Sequence, residues 1–145
     1  MLNELRLPNP SRESVERLQA EMLKLPQVEL PTEHIFAGGM YCRILPRPAG
    51  CLIVGKVHKF EHLYMVVKGK VRVTTDDGVQ DIEAPRVIVS KPGTKRAVLA
   101  LEDSVCLTVH RTDLKTVEEV DDELVEPDET SLYGPGNVLR IECHS

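Results

Sequence analysis

Apolar and polar residues alternate over short, turn-bounded runs through the middle of this chain, and that period of two predicts strands. The runs are Met40–Leu45, Cys51–Val57, His62–Val67, Val71–Thr75, Val79–Ile82, Val87–Ser90, Arg96–Leu101 and Val105–His110. Loops with turn chemistry separate them, among them Pro46-Arg47-Pro48-Ala49-Gly50 and Lys91-Pro92-Gly93-Thr94, and Asp77-Gly78 is a hairpin turn signal. No helical pattern interrupts this stretch. Parallel strands need crossover connections of a dozen or more residues, so about eight strands this close together predict an antiparallel sandwich or barrel.

The period changes at both ends. Ser11 is placed to cap a helix with Val15, Leu18, Met22 and Leu25 on one face, ended by Pro26. Val28–Phe36 reads as an extended segment broken by Pro31, and Gly38-Gly39 as a turn. After His110, Thr112 or Asp113 is expected to cap a second helix, with Leu114, Val117, Val120 and Leu124 on one face and Pro127 as its stop. Eight acidic residues fall between Glu118 and Glu129, a run that reads as a solvated face. Beyond it, Tyr133-Gly134-Pro135-Gly136 is a loop and Val138–Ile141 a small added strand or docked tail. The chain thus divides into an N-terminal helix and extended arm (1–38), a β-barrel (39–111) and an acidic C-terminal helix and tail (112–145).

Two hairpins follow from the pattern. Strand formers on both sides of Lys68-Gly69 predict a turn that sets Val67 opposite Lys70, Val66 opposite Val71 and Tyr64 opposite Val73. A turn near Asp103 would oppose residues summing to 206, so Arg96 would face His110 from the next strand. A register slip of one would turn His110 to the other face.

The chain has 145 residues, no Trp, a net charge of −5 and a pI of about 5.5. One domain with a Val, Leu and Ile core is implied, and the acidic balance argues against a nucleic-acid or anionic-membrane surface. No apolar run approaches the roughly 18 residues of a membrane span, and the N-terminus lacks the apolar core of a signal peptide, so a cytoplasmic protein is expected. Cys42, Cys51, Cys106 and Cys143 are widely spaced without a Cys-x-x-Cys pair, which reads as reduced thiols.

The segment Lys56-Val57-His58-Lys59-Phe60-Glu61-His62-Leu63, followed by Gly69, and the segment Lys91-Pro92-Gly93-Thr94-Lys95-Arg96 carry a resemblance. From Gly39 to His110 the chain resembles the cupin family of jelly-roll barrels. The family's first motif has two metal-binding histidines, then a glutamate, then a glycine seven residues on. Counting back from Gly69 puts His62 at the glutamate, His58 at the second histidine and Lys56 at the first. The second motif's histidine position carries Arg96. Over most of the chain the closer likeness is to uncharacterised, phage-encoded cupin-like proteins, through Leu25-Pro26-Gln27-Val28, Gly55–Leu63, Pro92–Arg96 and His110-Arg111-Thr112-Asp113. What this implies is a mainly β, single-domain antiparallel jelly-roll barrel with flanking N- and C-terminal helices. It implies no particular reaction.

With His110 supplied through the expected register, His58, His62 and His110 form a three-imidazole set for a divalent first-row metal: Zn, Fe, Mn, Ni or Cu. Lys56 and Arg96 oppose the metal's charge but suit a small anionic ligand, and Tyr64 shares His62's parity and would help to orient it. The alternative is that the histidines hydrogen-bond within the barrel mouth and hold no metal. His34 reads as a packed or surface histidine, and Glu61 as facing away from the pocket. Three function classes stay open: a metal-dependent enzyme, a ligand-sensing barrel, and a non-catalytic phage structural or assembly protein. A homodimer is expected, with Val28–Phe36 as the segment that crosses between copies.

Overall fold

The computed structural model describes residues 11–24 and 30–126. Nine strands run between two helices: α1 (Arg12–Met22), β1 (Glu33–Ala37), β2 (Met40–Arg47), β3 (Leu52–Val54), β4 (His62–Lys68), β5 (Lys70–Thr75), β6 (Gly78–Glu83), β7 (Arg86–Ser90), β8 (Ala97–Ala100), β9 (Ser104–Arg111) and α2 (Val117–Leu124). They form a five-stranded sheet of order β1-β2-β9-β4-β7 and a four-stranded sheet of order β3-β8-β5-β6, with every pairing antiparallel. The fold is the expected mainly β double-sheet barrel. The extended segment supplies β1, which pairs with β2 of the same chain from Glu33–Ile44 to Ala37–Met40. No helix among the described residues is long and apolar enough to cross a membrane.

Inward residues of both sheets meet in one cluster of Leu45, Tyr64, Val66, Val71, Val73, Ile82, Val98 and Cys106. β8 is buried on both faces. Val98 points into this core, while Ala97 and Leu99 point outward under α1, against Val15 and Met22. Ser11 caps α1 by accepting from Ser14 N at 3.3 Å, as the sequence indicated. The helix ends at Met22 with Leu23 as its cap, ahead of Leu25 and Pro26, which lie outside the described residues. Gln19 joins its buried face. Cys42, Cys51 and Cys106 are free thiols.

Both expected hairpins around the site are absent, and for one reason. Consecutive strands were read as neighbours in a sheet, whereas β4 passes to β5, and β8 to β9, by crossing from one sheet to the other. At Gly69 (φ +82°) the chain turns a corner after a bulge in β4 between Val66 and Lys68. Val66 pairs with Cys106 and Arg86, and Val71 with Ile82 and Ala100. Tyr64, Val66, Val71 and Val73, expected to pair along a ladder, therefore meet across the core instead, while Val67 is exposed. Likewise β8 pairs with β3 and β5, so Arg96 does not oppose His110, whose partner on β2 is Tyr41. The β5–β6 hairpin does form, with Thr75 opposite Gly78 and Asp76-Asp77 as its two-residue turn.

The second helix starts later than expected. Thr116, not Thr112 or Asp113, is the cap: its Oγ1 accepts from Glu119 N at 3.4 Å and donates to Glu119 Oε1 at 2.8 Å. Thr-x-x-Glu is the spacing of a capping box, here closed through the Thr116 hydroxyl. Thr112 instead accepts from Leu114 N in a local turn. The helix ends at Leu124, where Val125 turns extended. Pro127, Val138–Ile141 and the acidic residues past Glu126 lie outside the described residues.

Candidate metal centre

Two inward rows of the five-stranded sheet set the site. Antiparallel partners share a face, so Phe36, Tyr41 and His110 form one row across β1, β2 and β9. Leu63 opposes Val109 on β4 and β9, which makes His62 and His110 the next opposed positions and extends that row to Ser90 on β7. The adjacent row is His34, Arg43, Thr108, Tyr64 and Ile88. His62 and His110 are 8% and 3% exposed. His110 thus reaches the site because β9 lies beside β4, not through the register expected with Arg96.

His58 comes from the loop between β3 and β4, and the end of α2 holds it there. His58 bridges Val125, Lys59 N donates to Leu124 O at 2.7 Å, and Glu126 N donates to Val57 O at 2.8 Å. Lys59 Nζ donates to Asp122 O at 3.0 Å, and from the opposite side Gly93 N donates to His58 O at 2.9 Å. The C-terminal helix therefore closes the barrel mouth over the histidines.

The three imidazoles each offer a ring nitrogen, and these atoms lie within 4.8 Å of one another. Ring centroids are 4.4 Å apart for His58–His62 and His62–His110, and 5.2 Å for His58–His110. His62 Nδ1 sits 3.2 Å from Phe60 O, so Nδ1–H donates there and Nε2 keeps the lone pair. His58 is hydrogen-bonded to the Lys56 backbone, and its Nε2 is buried with no partner. His110 Nε2 is 2.9 Å from Thr108 Oγ1. Behind the set, Tyr41 stacks between Phe36 at 4.8 Å and His110 at 5.8 Å. Burial above all pushes the Tyr41 hydroxyl up to about 12, so it stays protonated, and it shares a 2.6 Å hydrogen bond with His34 Nδ1. His34 is thus a packed histidine outside the triad.

Burial is also the main reason that all three imidazoles favour the neutral form. His110 is brought down to about 3, with His62 and Arg43 adding repulsion. His58 falls well below the usual imidazole range through desolvation, then His62, Arg43 and His110. Desolvation lowers His62 as well, and the cations Arg96 and Arg43 push the same way. In the unfolded chain the same groups take up protons near ~6.5. Below that pH the unfolded state binds more protons than the native one, so stability is lost as pH falls. With metal chelated, we expect a loss of up to about 1.4 kcal/mol per pH unit per histidine between roughly pH 6.5 and 5. Urea midpoints across that window measure it, and a flat profile would contradict the buried neutral triad.

A cavity of about 90 Å³ opens onto His58 and His62, between the sheets. The three residues expected to bind ligand all line it, in unequal states. Lys56 Nζ pairs with Asp121 at 3.5 Å, both side chains being largely buried at 11% and 18% exposure. Tyr64 is buried in the core cluster with Arg96 stacked over its ring, 5.5 Å from the centroid. Arg96 is heavily engaged: Nη2 and Nε donate to Ser90 Oγ at 2.9 and 3.3 Å, and Nη1 donates to Thr74 O at 3.2 Å. Asp121 departs from the solvated acidic face read for its segment. Asp121, Arg43 and Thr108 are cavity residues that the sequence reading missed. Alternation along β2 was the available signal, since Arg43 stands between inward Tyr41 and Leu45.

No family model matches this chain, and no curated protein matches it. Among solved structures, KdgF from Halomonas sp. is similar at a TM-score of 0.52 and 13% identity, over 61% of this chain and 84% of that one. The cupin domain of Cnp3 from Schizosaccharomyces pombe is similar at a TM-score of 0.50 and 18% identity, over 60% of this chain and 67% of that one. The likeness is one of fold, and the fold is that of the cupins: two antiparallel sheets closed face to face as a jelly-roll barrel.

Proposed function

We propose that this barrel holds a divalent first-row metal ion on His58, His62 and His110 and presents it to a small polar or anionic ligand entering the adjoining cavity. The observation that carries the reading is the donor set itself. Three imidazoles converge to within 4.8 Å, one of them with a buried Nε2 that has no partner. Such an orphaned atom is costly unless something binds it. Ligation requires deprotonated nitrogens, and burial already keeps these neutral. His62 donates Nδ1–H to a backbone carbonyl, the outer contact that fixes a ligating ring. When bound, the ion would supply Lewis acidity and positions open to ligand or water. With three neutral donors it would keep its full charge, and an anionic ligand would complete the site.

A second reading, a barrel that binds an anion without metal, is favoured by the four cationic side chains on the cavity wall: Arg43, Arg47, Lys56 and Arg96. One experiment separates the two. Untagged protein is stripped with chelator and titrated with Mn, Fe, Ni, Cu and Zn ions while its melting temperature is followed. The metal reading predicts a saturable rise with at least one ion, and near one equivalent retained after gel filtration. No shift with any of them would leave the anion reading in its place.

A further inference from the structure

We propose that Arg43, a residue outside the histidine set, is the anion-binding group of the cavity, and that the cavity takes a small carboxylic acid with an apolar body. This rests on reading the cavity as a ligand site, but not on the metal. Arg43 points inward from β2, one row below His110 and opposite Thr108. It lines both the main cavity and the smaller pocket behind it that reaches His110 and Tyr41. Its Nε is buried without a hydrogen-bond partner, as is His58 Nε2 on the wall of the same two pockets. A buried Nε left this way pays a desolvation cost that no hydrogen bond offsets. The nearest acid, Asp121, favours the Arg43 charge, but its carboxylate is already the partner of Lys56 at 3.5 Å. Arg96, the other guanidinium on this wall, has each of its three nitrogens donating to Ser90 or Thr74. Of the two, Arg43 is the one with a guanidinium nitrogen left for a ligand.

The rest of the wall sets the class. Leu45, Ile53, Val54 and Val98 contribute an apolar part of the wall beside the polar groups, which offers a place for a carboxylate's hydrocarbon body that a phosphate would not use. At about 90 Å³ the cavity is of a size for a small molecule. A carboxylate held by Arg43 would share the cavity with His58 and His62.

The test uses full-length, chelator-treated protein with isobutyrate as probe and isobutyramide as its uncharged match, read by melting temperature and calorimetry. Wild type should be stabilised by isobutyrate and not by the amide. In Arg43→Met the isobutyrate affinity should fall about tenfold or more, while the ligand-free melting temperature stays level or rises, because an unpaired buried charge has been removed. Arg43→Lys, which keeps charge but loses the fork, should fold normally and also bind isobutyrate more weakly. A drop of several degrees in ligand-free Arg43→Met would make Arg43 a structural residue and overturn the proposal. So would retention of isobutyrate binding in both variants, or no response of the wild type to isobutyrate. If no metal shifts the wild type yet isobutyrate does so through Arg43, the metal reading falls and this one stands.

Discussion

Replacing His58, His62 or His110 by alanine is expected to abolish the rise in melting temperature that metal produces, each variant by itself. An ion that binds only the native state stabilises it by about 2.7 kcal/mol at a hundredfold excess over its dissociation constant. For a chain of this size that is a shift of roughly 5–10 °C. A site reduced to two imidazoles holds the ion poorly, so a double variant should lose little more than a single one. His34→Ala is the control. It breaks the contact with Tyr41, costing some stability, but should leave the metal-induced increment intact because His34 lies outside the triad. The increment, not the absolute melting temperature, is the readout, since removing a buried imidazole changes packing. Full metal response in His110→Ala alone would mean that the ion is held by other groups and that Tyr41 and Thr108 are all His110 serves.

His110 stands with His58 and His62 in the structure, although the hairpin expected to bring it there does not form. A hairpin with Arg96 was to set its face, but β8 and β9 lie in different sheets. Parity survived the error: inward residues of either sheet point at the same core, so an inward position on β9 faces the mouth whichever strand lies beside it. Strand existence was readable from alternation and turn chemistry, and the eight runs match β2 to β9 within a few residues. Strand adjacency was not, since alternation fixes a residue's face without naming its neighbour. The same limit hid Arg43, whose role depends on which histidines stand near it in space. Asp121 was hidden by its company: five of the six acidic residues from Glu118 to Glu126 carry no resolved contact with the cavity wall, and only folding separates the one that meets Lys56.

The second large effect is expected at the corner that the sequence read as a hairpin turn. Gly69→Ala should destabilise the protein by about 3–5 kcal/mol, at the severe end for one methyl group. Two costs combine. At φ +82° a side chain is strained by roughly 1–2 kcal/mol. The added Cβ would also fall within contact distance of Ser104 Oγ, Ser104 Cα and Asp103 O, much of it backbone that cannot swing aside. Those neighbours are fixed, because Lys70 N donates to Ser104 Oγ at 3.0 Å and Ala84 N donates to Gly69 O at 2.9 Å. Gly78→Ala separates the two terms. Its φ is +104°, yet nothing lies within 4 Å of the new atom, so it should cost only about 1–2 kcal/mol. Urea midpoints of the two variants provide the comparison. If Gly69→Ala proved no worse than Gly78→Ala, the close approach of this corner to Asp103 and Ser104 would not be fixed.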